Sequence, residues 1–213
     1  MADRNASERT RFPQGHTALL FIDPYNDFLS EGGKLWPRVA EIAIALGLHA
    51  NLKSVTNAVR ALGIPVFIVP HHRAEPGDLE HWDHATPYQM GASRAQVFAK
   101  DSWGGEWHPD YRPLPGDVVV KEHWNSSGFA NTDLDFLLKQ HRATHLIVIG
   151  LIANTCVEAT SRFAVELGYH VTLVRDATAA FSREAMQAAH EINGPTFAHA
   201  IITTSELLAA LQS

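Results

Sequence analysis

The chain has 213 residues, of which 46% are hydrophobic and 19% charged, and its formal net charge is −6. This length and composition are typical of one globular domain. No basic stripe indicates nucleic-acid binding, and no apolar run approaches the roughly 20 residues that span a membrane. The N-terminus lacks an apolar signal region and the single cysteine cannot form an internal disulfide, so we expect a cytoplasmic protein.

Strand-like and helix-like segments alternate after a surface arm at residues 1–15. Six apolar segments predict strands at Thr17–Asp23, Val66–Val69, Asp117–Lys121, His145–Ile149, Val171–Val174 and Ala200–Thr203. Helices are predicted over Pro37–Leu62 with a division at Gly47, over Asp133–His141, after Cys156, over Arg183–Ile192, and after a Ser205 cap. This alternation predicts an α/β protein with a mainly parallel sheet and right-handed crossovers, in a single domain over residues 1–213.

One segment does not fit the alternation. Residues 70–116 are polar and rich in Pro, Gly, His and Trp, and they are too many for an ordinary connection. Loops of this length are usually functional lids or binding loops. We therefore expect a lid or insertion loop here.

The only cysteine, Cys156, falls where the turn after the fourth predicted strand becomes a helix. The helix dipole and free backbone N–H groups at such a position stabilise a thiolate, which makes Cys156 a candidate nucleophile. The alternative is a buried cysteine that packs as a small hydrophobic residue.

Three reactive side chains are predicted to share one edge of the sheet. Asp23 ends the first strand, Lys121 ends the third, and Cys156 follows the fourth. Open α/β folds bind their ligands at the carboxyl ends of the strands, where these residues would meet. Taken singly, Asp23 before Pro24 could start a turn and Lys121 could be a solvated strand end.

Four segments carry a resemblance to a known superfamily: Leu19–Leu29, Val118–Asp135, Val148–Thr160 and Val171–Ser182. In them the sequence resembles the isochorismatase-like cysteine hydrolases, which include nicotinamidases and N-carbamoylsarcosine amidases. The resemblance implies a three-layer α/β/α Rossmann-like sandwich of about six strands in the order 3-2-1-4-5-6. It also implies a homo-oligomer, either a dimer or a tetramer.

The resemblance further implies a role for each matching residue. Cys156 would be the nucleophile, Asp23 the general base and acid, and Lys121 the cation that holds and polarises the pair. The peptide bond between Leu151 and Ile152 would be cis, so that the N–H groups of Ile152 and Cys156 form an oxyanion hole. These groups would hydrolyse a small carboxamide or ureide through a thioester, without a cofactor.

The substrate pocket is assigned from position in the sequence. Tyr25 stands where many relatives have glutamine, whereas the residues after it follow the family pattern. The candidate pocket residues are Tyr25, Asn26, Phe28, His71, His72, Trp103 and Trp124. For the tryptophans, core or interface packing is an equally good interpretation.

The segment Val69–His84 contains several potential metal ligands, including His81, Asp83 and His84. Nicotinamidase-type relatives bind a metal through an Asp-x-His pair, and no such pair follows the second predicted strand here. Histidines of polar loops usually form hydrogen bonds or shape a pocket. We therefore expect no metal.

Two other functions are compatible with the sequence. One is isochorismatase-type hydrolysis of a vinyl ether, which needs an acid but no sulfur nucleophile. The other is a non-catalytic binding protein on the same fold, which would be expected to have lost a member of the triad. Because Asp23, Lys121 and Cys156 are all present, the sequence favours hydrolysis of an amide-like C–N bond.

Overall fold

The computed structural model describes residues 10–212. Within them, six parallel strands form a sheet: β1 Thr17–Ile22, β2 Val66–Val69, β3 Val118–Val119, β4 His145–Leu151, β5 His170–Ala179 and β6 Ala200–Ile202. The strand order is β3-β2-β1-β4-β5-β6. The predicted fold class and strand order are therefore confirmed.

The α-helices connect the strands and flank the sheet. They are α1 Asn26–Leu29, α2 Trp36–Leu46, α3 Leu48–Ala61, α4 Pro87–Arg94, α5 Leu134–Gln140, α6 Glu158–Glu166, α7 Arg183–Gln187 and α8 Thr204–Ala210. Short 3₁₀ turns lie at Trp103–Gly105, Pro109–Tyr111 and Gly194–Thr196, and π-helical turns at Ala153–Val157 and Ala188–Asn193.

Two of the predicted helix boundaries can be compared directly with the structure. Gly47 divides α2 from α3, as predicted, and its φ of 63° is in the left-handed region that favours glycine. The Ser205 cap is wrong, because the Thr203 side chain accepts the N–H of Glu206 in a capping box and α8 begins one residue after it.

Alternate residues of the strands face two helical layers. Leu19 and Phe21 belong to one buried cluster, and Leu20 and Ile22 belong to the other. Residues of α2, α3 and α8 complete the first cluster: Val39, Leu52 and Leu207. Residues of α5 and α6 complete the second: Leu138 and Ala164. This arrangement is the predicted three-layer sandwich.

The chain after β3 continues beside β2 although it is no longer a regular strand. The N–H of His123 donates to the carbonyl of Pro70, and the N–H of His72 donates to the carbonyl of His123. A parallel bridge pairs His71 with His123. The extended chain thus reaches the carboxyl edge of the sheet at His123, two residues beyond Lys121.

The long segment 70–116 contains α4 and two 3₁₀ turns and is anchored to the first helix. One oxygen of the buried Asp27 accepts the N–H of Phe98 at 2.7 Å, and the other accepts the N–H of Lys34 at 2.9 Å. Asn26 donates to the carbonyl of Trp103 at 2.8 Å. The bonds to Phe98 and Trp103 hold the segment against the carboxyl edge.

The predicted N-terminal arm lies largely outside the described residues, which begin at Thr10. Of its described part, Phe12 packs against the core. Within residues 10–212, none of the helices combines the length and apolar character needed to cross a bilayer.

Candidate active site

Asp23 follows β1 directly and adopts a left-handed backbone conformation, with φ of 52°. This conformation is uncommon for a residue other than glycine and is found preferentially at functional sites. Gly150 of β4 lies alongside, where a Cβ would stand 2.2 Å from the carbonyl oxygen of Ile22. Glycine at this position therefore allows β4 to approach the backbone just before Asp23.

Cys156 lies at the end of β4 on the same edge of the sheet. The Leu151–Ile152 peptide bond is cis, and the chain then makes the π-helical turn Ala153–Val157 before α6 starts. Cys156 is 7% exposed and lines a cavity. The thiol is thus buried but accessible from the cavity.

A histidine completes a buried trio with these two residues. Nε2 of His123 lies 3.2 Å from Oδ1 of Asp23, and both side chains are fully buried. A carboxylate oxygen of Asp23, a ring nitrogen of His123 and Sγ of Cys156 all lie within 4.8 Å of one another. The structure therefore brings Asp23 and Cys156 together, as expected, but with His123 as the third member.

Lys121 does not join this trio. Its side chain is exposed and is absent from the cavity lining, and its backbone N–H donates to Asp133 at 2.8 Å. Side chains alternate between the two faces of a regular strand, so residues 121 and 123 would lie on the same face. Here Lys121 is exposed and His123 is buried, because the chain is irregular beyond β3. The expectation that Lys121 polarises the pair is not met.

The electrostatic environment favours a neutral thiol. Burial raises the pKa of Cys156 well above its ordinary value, and the neighbouring Asp23 carboxylate raises it further. The Thr155 hydroxyl and the Ile152 N–H oppose this rise without cancelling it. Stabilisation of a thiolate, expected from the sequence, is therefore not the resting condition of the site.

The candidate oxyanion-hole residues lie beside the sulfur. The Ile152 N–H interacts with the Cys156 thiol and lowers its pKa, and Ile152 lines the cavity. The Thr155 hydroxyl lies 3.8 Å from Sγ. An oxygen bound to a carbon at Sγ would therefore find one backbone donor, the Ile152 N–H, close by.

The cavity next to Cys156 has a volume of about 360 Å³, which suits a small molecule. Four of the predicted pocket residues line it: Phe28, His71, His72 and Trp124. Much of the rest comes from the long segment, including Tyr88 and Phe98. The segment thus forms one wall of the site.

Three of the predicted pocket residues lie outside the cavity lining. Tyr25 is fully buried in an aromatic stack with Phe98 and Trp107, at ring distances of 4.9 Å each, and its hydroxyl donates to the carbonyl of His71. Asn26 is used to hold the Trp103 carbonyl, and the Trp103 side chain is 49% exposed. Tyr25, Asn26 and Trp103 therefore support the pocket or its surroundings and do not line it.

His71 lines the cavity as a neutral imidazole. Burial lowers its pKa, and this outweighs the opposite effect of Asp23. Its Nδ1 lies 2.9 Å from the carbonyl of His72 and must carry hydrogen to bond with it. Nε2 of the neutral ring is then a hydrogen-bond acceptor.

His72 belongs to a charged network at the cavity wall. Its Nε2 lies 2.8 Å from Asp78 and its Nδ1 3.3 Å from Glu122, and Arg73 binds the same glutamate at 2.6 Å. Burial opposes the charged ring, but the two carboxylates raise the pKa of His72. The ring stacks on Trp124 at 3.6 Å between centroids. This network fixes the cavity wall. Its hydrogen bonds occupy the ring nitrogens and carboxylate oxygens that a metal ion would need as ligands.

The histidines and acids of the segment up to His84 do not converge on a common point. Within residues 10–212, the trio of Asp23, His123 and Cys156 is the only group of three such side chains with close donor atoms. The hydrogen bond between His123 and Asp23, with the Cys156 thiol beside it, accounts for the short distances in the trio, and we assign no metal to it.

A model of the isochorismatase domain matches residues 17–206. The chain belongs to the isochorismatase family. It is 30% identical over 200 residues to the ureidoacrylate amidohydrolase RutB of Pantoea ananatis, covering 89% of this chain and 80% of the relative. It is also 30% identical over 214 residues to the RutB of an Enterobacter species, covering 96% and 93%.

Solved structures of the isochorismatase family share the fold. A cysteine hydrolase from Pseudomonas syringae pv. phaseolicola is similar with a TM-score of 0.74 and 26% identity, over 94% of each chain. The N-carbamoylsarcosine amidase of Thermoplasma acidophilum is similar with a TM-score of 0.64 and 26% identity, over 89% of this chain and 96% of the other. The predicted superfamily is confirmed.

Sequence reasoning missed three residues of this family member's site: His123, Tyr88 and Arg38. The signal for His123 was its place just beyond the third predicted strand, where side chains reach the carboxyl edge. Tyr88 and Arg38 line the cavity from parts of the chain with no motif. Their position depends on how the long segment folds over the sheet.

Proposed function

We propose that the protein is a cysteine hydrolase that cleaves an amide-like C–N bond of a small molecule. The single observation that carries this proposal is the position of Cys156, whose thiol lines a cavity and lies beside the buried carboxylate of Asp23. Relatives named as ureidoacrylate amidohydrolases support the same bond type. An isochorismatase-type vinyl-ether hydrolysis would leave this thiol without a role.

In the first half of the reaction, Sγ of Cys156 attacks the carbonyl carbon of the substrate as its proton moves to Asp23. Because the pKa of the thiol is raised, transfer of the proton accompanies attack and does not precede it. The N–H groups of Ile152 and Cys156 stabilise the oxyanion. The C–N bond then breaks, and Asp23 returns the proton to the departing nitrogen, so that an amine or ammonia leaves and a thioester remains.

In the second half, water attacks the carbonyl carbon of the thioester. Asp23 accepts a proton from this water while the same N–H groups bind the oxyanion again. The C–S bond breaks, and the sulfur regains the proton from Asp23. The enzyme returns to its starting state with the carbonyl product released.

The cavity favours a substrate with both a ureide or amide group and a carboxylate. Among the described residues that line the cavity, Arg38 is the only lysine or arginine. Its guanidinium lies 3.9 Å over the ring of Phe181, so the flat cation is oriented by stacking. Tyr88 lines the same cavity; burial and then Cys156 raise the pKa of its hydroxyl, and Arg38 opposes this rise.

We also propose that the protein forms a homo-oligomer, a dimer or a tetramer, whose neighbouring subunit covers the cavity mouth. Trp82, Tyr88 and Trp124 are exposed near this mouth, and Tyr88 and Trp124 line the cavity. Light scattering of the purified protein measures the oligomeric state. A monomer at micromolar concentration would contradict this part of the proposal.

The proposed activity is tested by ammonia release from a panel of small amides and ureides, with and without a carboxylate. We expect turnover of a carboxylated ureide, and a loss of about 10³-fold or more in Cys156→Ala. Asp23→Asn should lose about 10²–10⁴-fold, because proton transfer is removed. Asp83→Asn, an exposed carboxylate outside the cavity, is the matched control and should keep full activity.

Mass spectrometry of the intact protein adds a direct readout. A slow substrate should leave an acyl group on Cys156, and none should form on Cys156→Ala. Full turnover of the amide by Cys156→Ala would contradict the covalent mechanism. Vinyl-ether hydrolysis is measured separately, and turnover of an enol-ether substrate without turnover of any amide would favour it.

A further inference from the structure

Resting on the proposed function, we propose that His123 is the positioning residue of the site, taking the place expected for a lysine. Its imidazolium binds the Asp23 carboxylate through Nε2 and aims it at Cys156. The family resemblance placed this role on Lys121, whose side chain is exposed.

The hydrogen bonds of His123 account for the proton. Nδ1 lies 3.1 Å from the carbonyl oxygen of Asn125. A carbonyl oxygen only accepts, so Nδ1 must carry hydrogen. Nε2 then faces Oδ1 of Asp23 at 3.2 Å, and one further proton must lie between these two atoms. The pair is either an imidazolium with a carboxylate or a neutral imidazole with a carboxylic acid.

Asp23 can act as a general base only when the pair is an imidazolium with a carboxylate. An ionised Asp23 can accept the Cys156 proton, whereas a carboxylic acid cannot. The second oxygen, Oδ2, is buried and has no hydrogen-bond partner within the described residues. A buried acceptor without a partner is costly, and here it is the atom available for the thiol proton.

The groups around His123 do not replace its charge. Asp23 comes from the end of β1 and Cys156 from the end of β4, and the ring of His71 after β2 lies 5.1 Å away between centroids. Burial keeps His71 neutral, since it lowers the pKa of this ring. The hydroxyl of Tyr25 is bound to the His71 carbonyl and stays protonated, because burial raises its pKa well above the ordinary value.

Farther out, the charges are already paired. Glu122 accepts from both His72 and Arg73, and these bonds outweigh burial to lower its pKa to about 2. Of these three groups, His72 lines the cavity. An imidazolium at His123 is therefore the cation that directly contacts Asp23.

Two substitutions separate the charge at this place from the hydrogen bond. Lysine keeps an N–H donor and a positive charge opposite Asp23, whereas glutamine keeps an N–H donor without a charge.

The test is kcat and KM, measured separately, for the wild type, His123→Lys and His123→Gln. We expect His123→Lys to retain kcat to within about tenfold, because a cation still contacts Asp23. His123→Gln keeps an N–H donor without the charge, so its kcat should fall by about 10–100-fold with little change in KM. Equal kcat values in all three proteins would overturn the proposal.

The rate of alkylation of Cys156 by iodoacetamide separates this proposal from the proposed function, because it needs no substrate. At pH 9 the sulfur of His123→Lys should react about tenfold faster than that of the wild type, since a nearby cation stabilises the thiolate. If every amide fails as a substrate but alkylation responds in this way, only the hydrolase proposal is wrong. Equal alkylation rates in folded His123→Lys, His123→Gln and wild type would reject the role of His123, and thermal unfolding verifies that the variants are folded.

Discussion

Histidines gather at both edges of the sheet, and their neighbours give them opposite properties. At the carboxyl edge, His123 contacts Asp23 and His72 contacts two carboxylates. At the amino edge, His145 and His170 begin β4 and β5, and His199 precedes β6. These three rings stack on one another, with centroids 4.7 and 4.2 Å apart.

For His72, His145 and His170, contact with a carboxylate decides the direction in which the pKa shifts. Burial and then the neighbouring histidines lower the pKa of His170 to about 4, and burial likewise lowers the pKa of His145. At the carboxyl edge, Glu122 and Asp78 raise the pKa of His72 despite its burial. Packing among other rings therefore lowers the pKa of His145 and His170, whereas contact with two acids raises that of His72.

The largest expected effect concerns Arg38, which lines the cavity at the carboxyl edge. Arg38→Met should raise KM for a carboxylated ureide by about 10–100-fold, because a charge-assisted hydrogen bond to the substrate is lost. We expect kcat to change little, since this contact is made equally in the ground and transition states. Steady-state kinetics measure both constants.

An uncharged amide of similar size is the matched control for Arg38. Its KM should stay within about threefold in Arg38→Met, and Arg38→Lys should recover part of the affinity for the carboxylated substrate. Equal losses for charged and uncharged substrates would mean that Arg38 supports the cavity wall and does not select the ligand.

The histidine stack at the amino edge should act on stability and not on activity. The pKa of His170 is lowered from the ordinary value to about 4 in the folded protein, so folding favours its neutral form. The resulting stability is present above the unfolded pKa of about 6.5 and is lost as pH falls towards 4. His170→Phe keeps a stacking ring without this penalty, and should be more stable than the wild type at pH 5 by about 1–2 kcal/mol, discounted for partial exposure.

Urea unfolding at pH 5 and pH 8 measures this difference. At pH 8 the two proteins should be equally stable to within about 0.5 kcal/mol, and turnover should be unchanged. His84→Gln, a change at an exposed histidine of the long segment, is the control and should not alter the pH dependence. The same acid sensitivity in His170→Phe as in the wild type would contradict the account of the stack.

The sequence predicted the parts of the fold that depend on local patterns. Val66–Val69 is found as the predicted strand, Gly47 divides the two helices, and Asp23 and Cys156 meet at the carboxyl edge. Apolar runs that alternate with helical stripes are enough for these features. The parallel strands then bring their carboxyl ends together wherever the intervening loops run.

The rest depends on how irregular backbone folds, which no periodic pattern encodes. β3 has only two residues, so the face on which Lys121 or His123 lies is set by the bridge to His71 and not by strand alternation. Tyr25 follows β1 as a pocket residue would, but the long segment supplies Phe98 and Trp107, which enclose it. These contacts join parts of the chain more than 70 residues apart.

The smallest expected effect is at Lys121, and it tests the comparison of the two residues that could hold Asp23. Lys121→Met should change kcat/KM by less than about twofold, because exposed side chains without a contact in the site contribute little to catalysis. His123→Gln, measured in the same assay, should lose about 10–100-fold. If instead Lys121→Met lost as much kcat/KM as His123→Gln, the ammonium would be the group that orients Asp23, and the chain after β3 would have to turn its lysine towards the cavity during turnover.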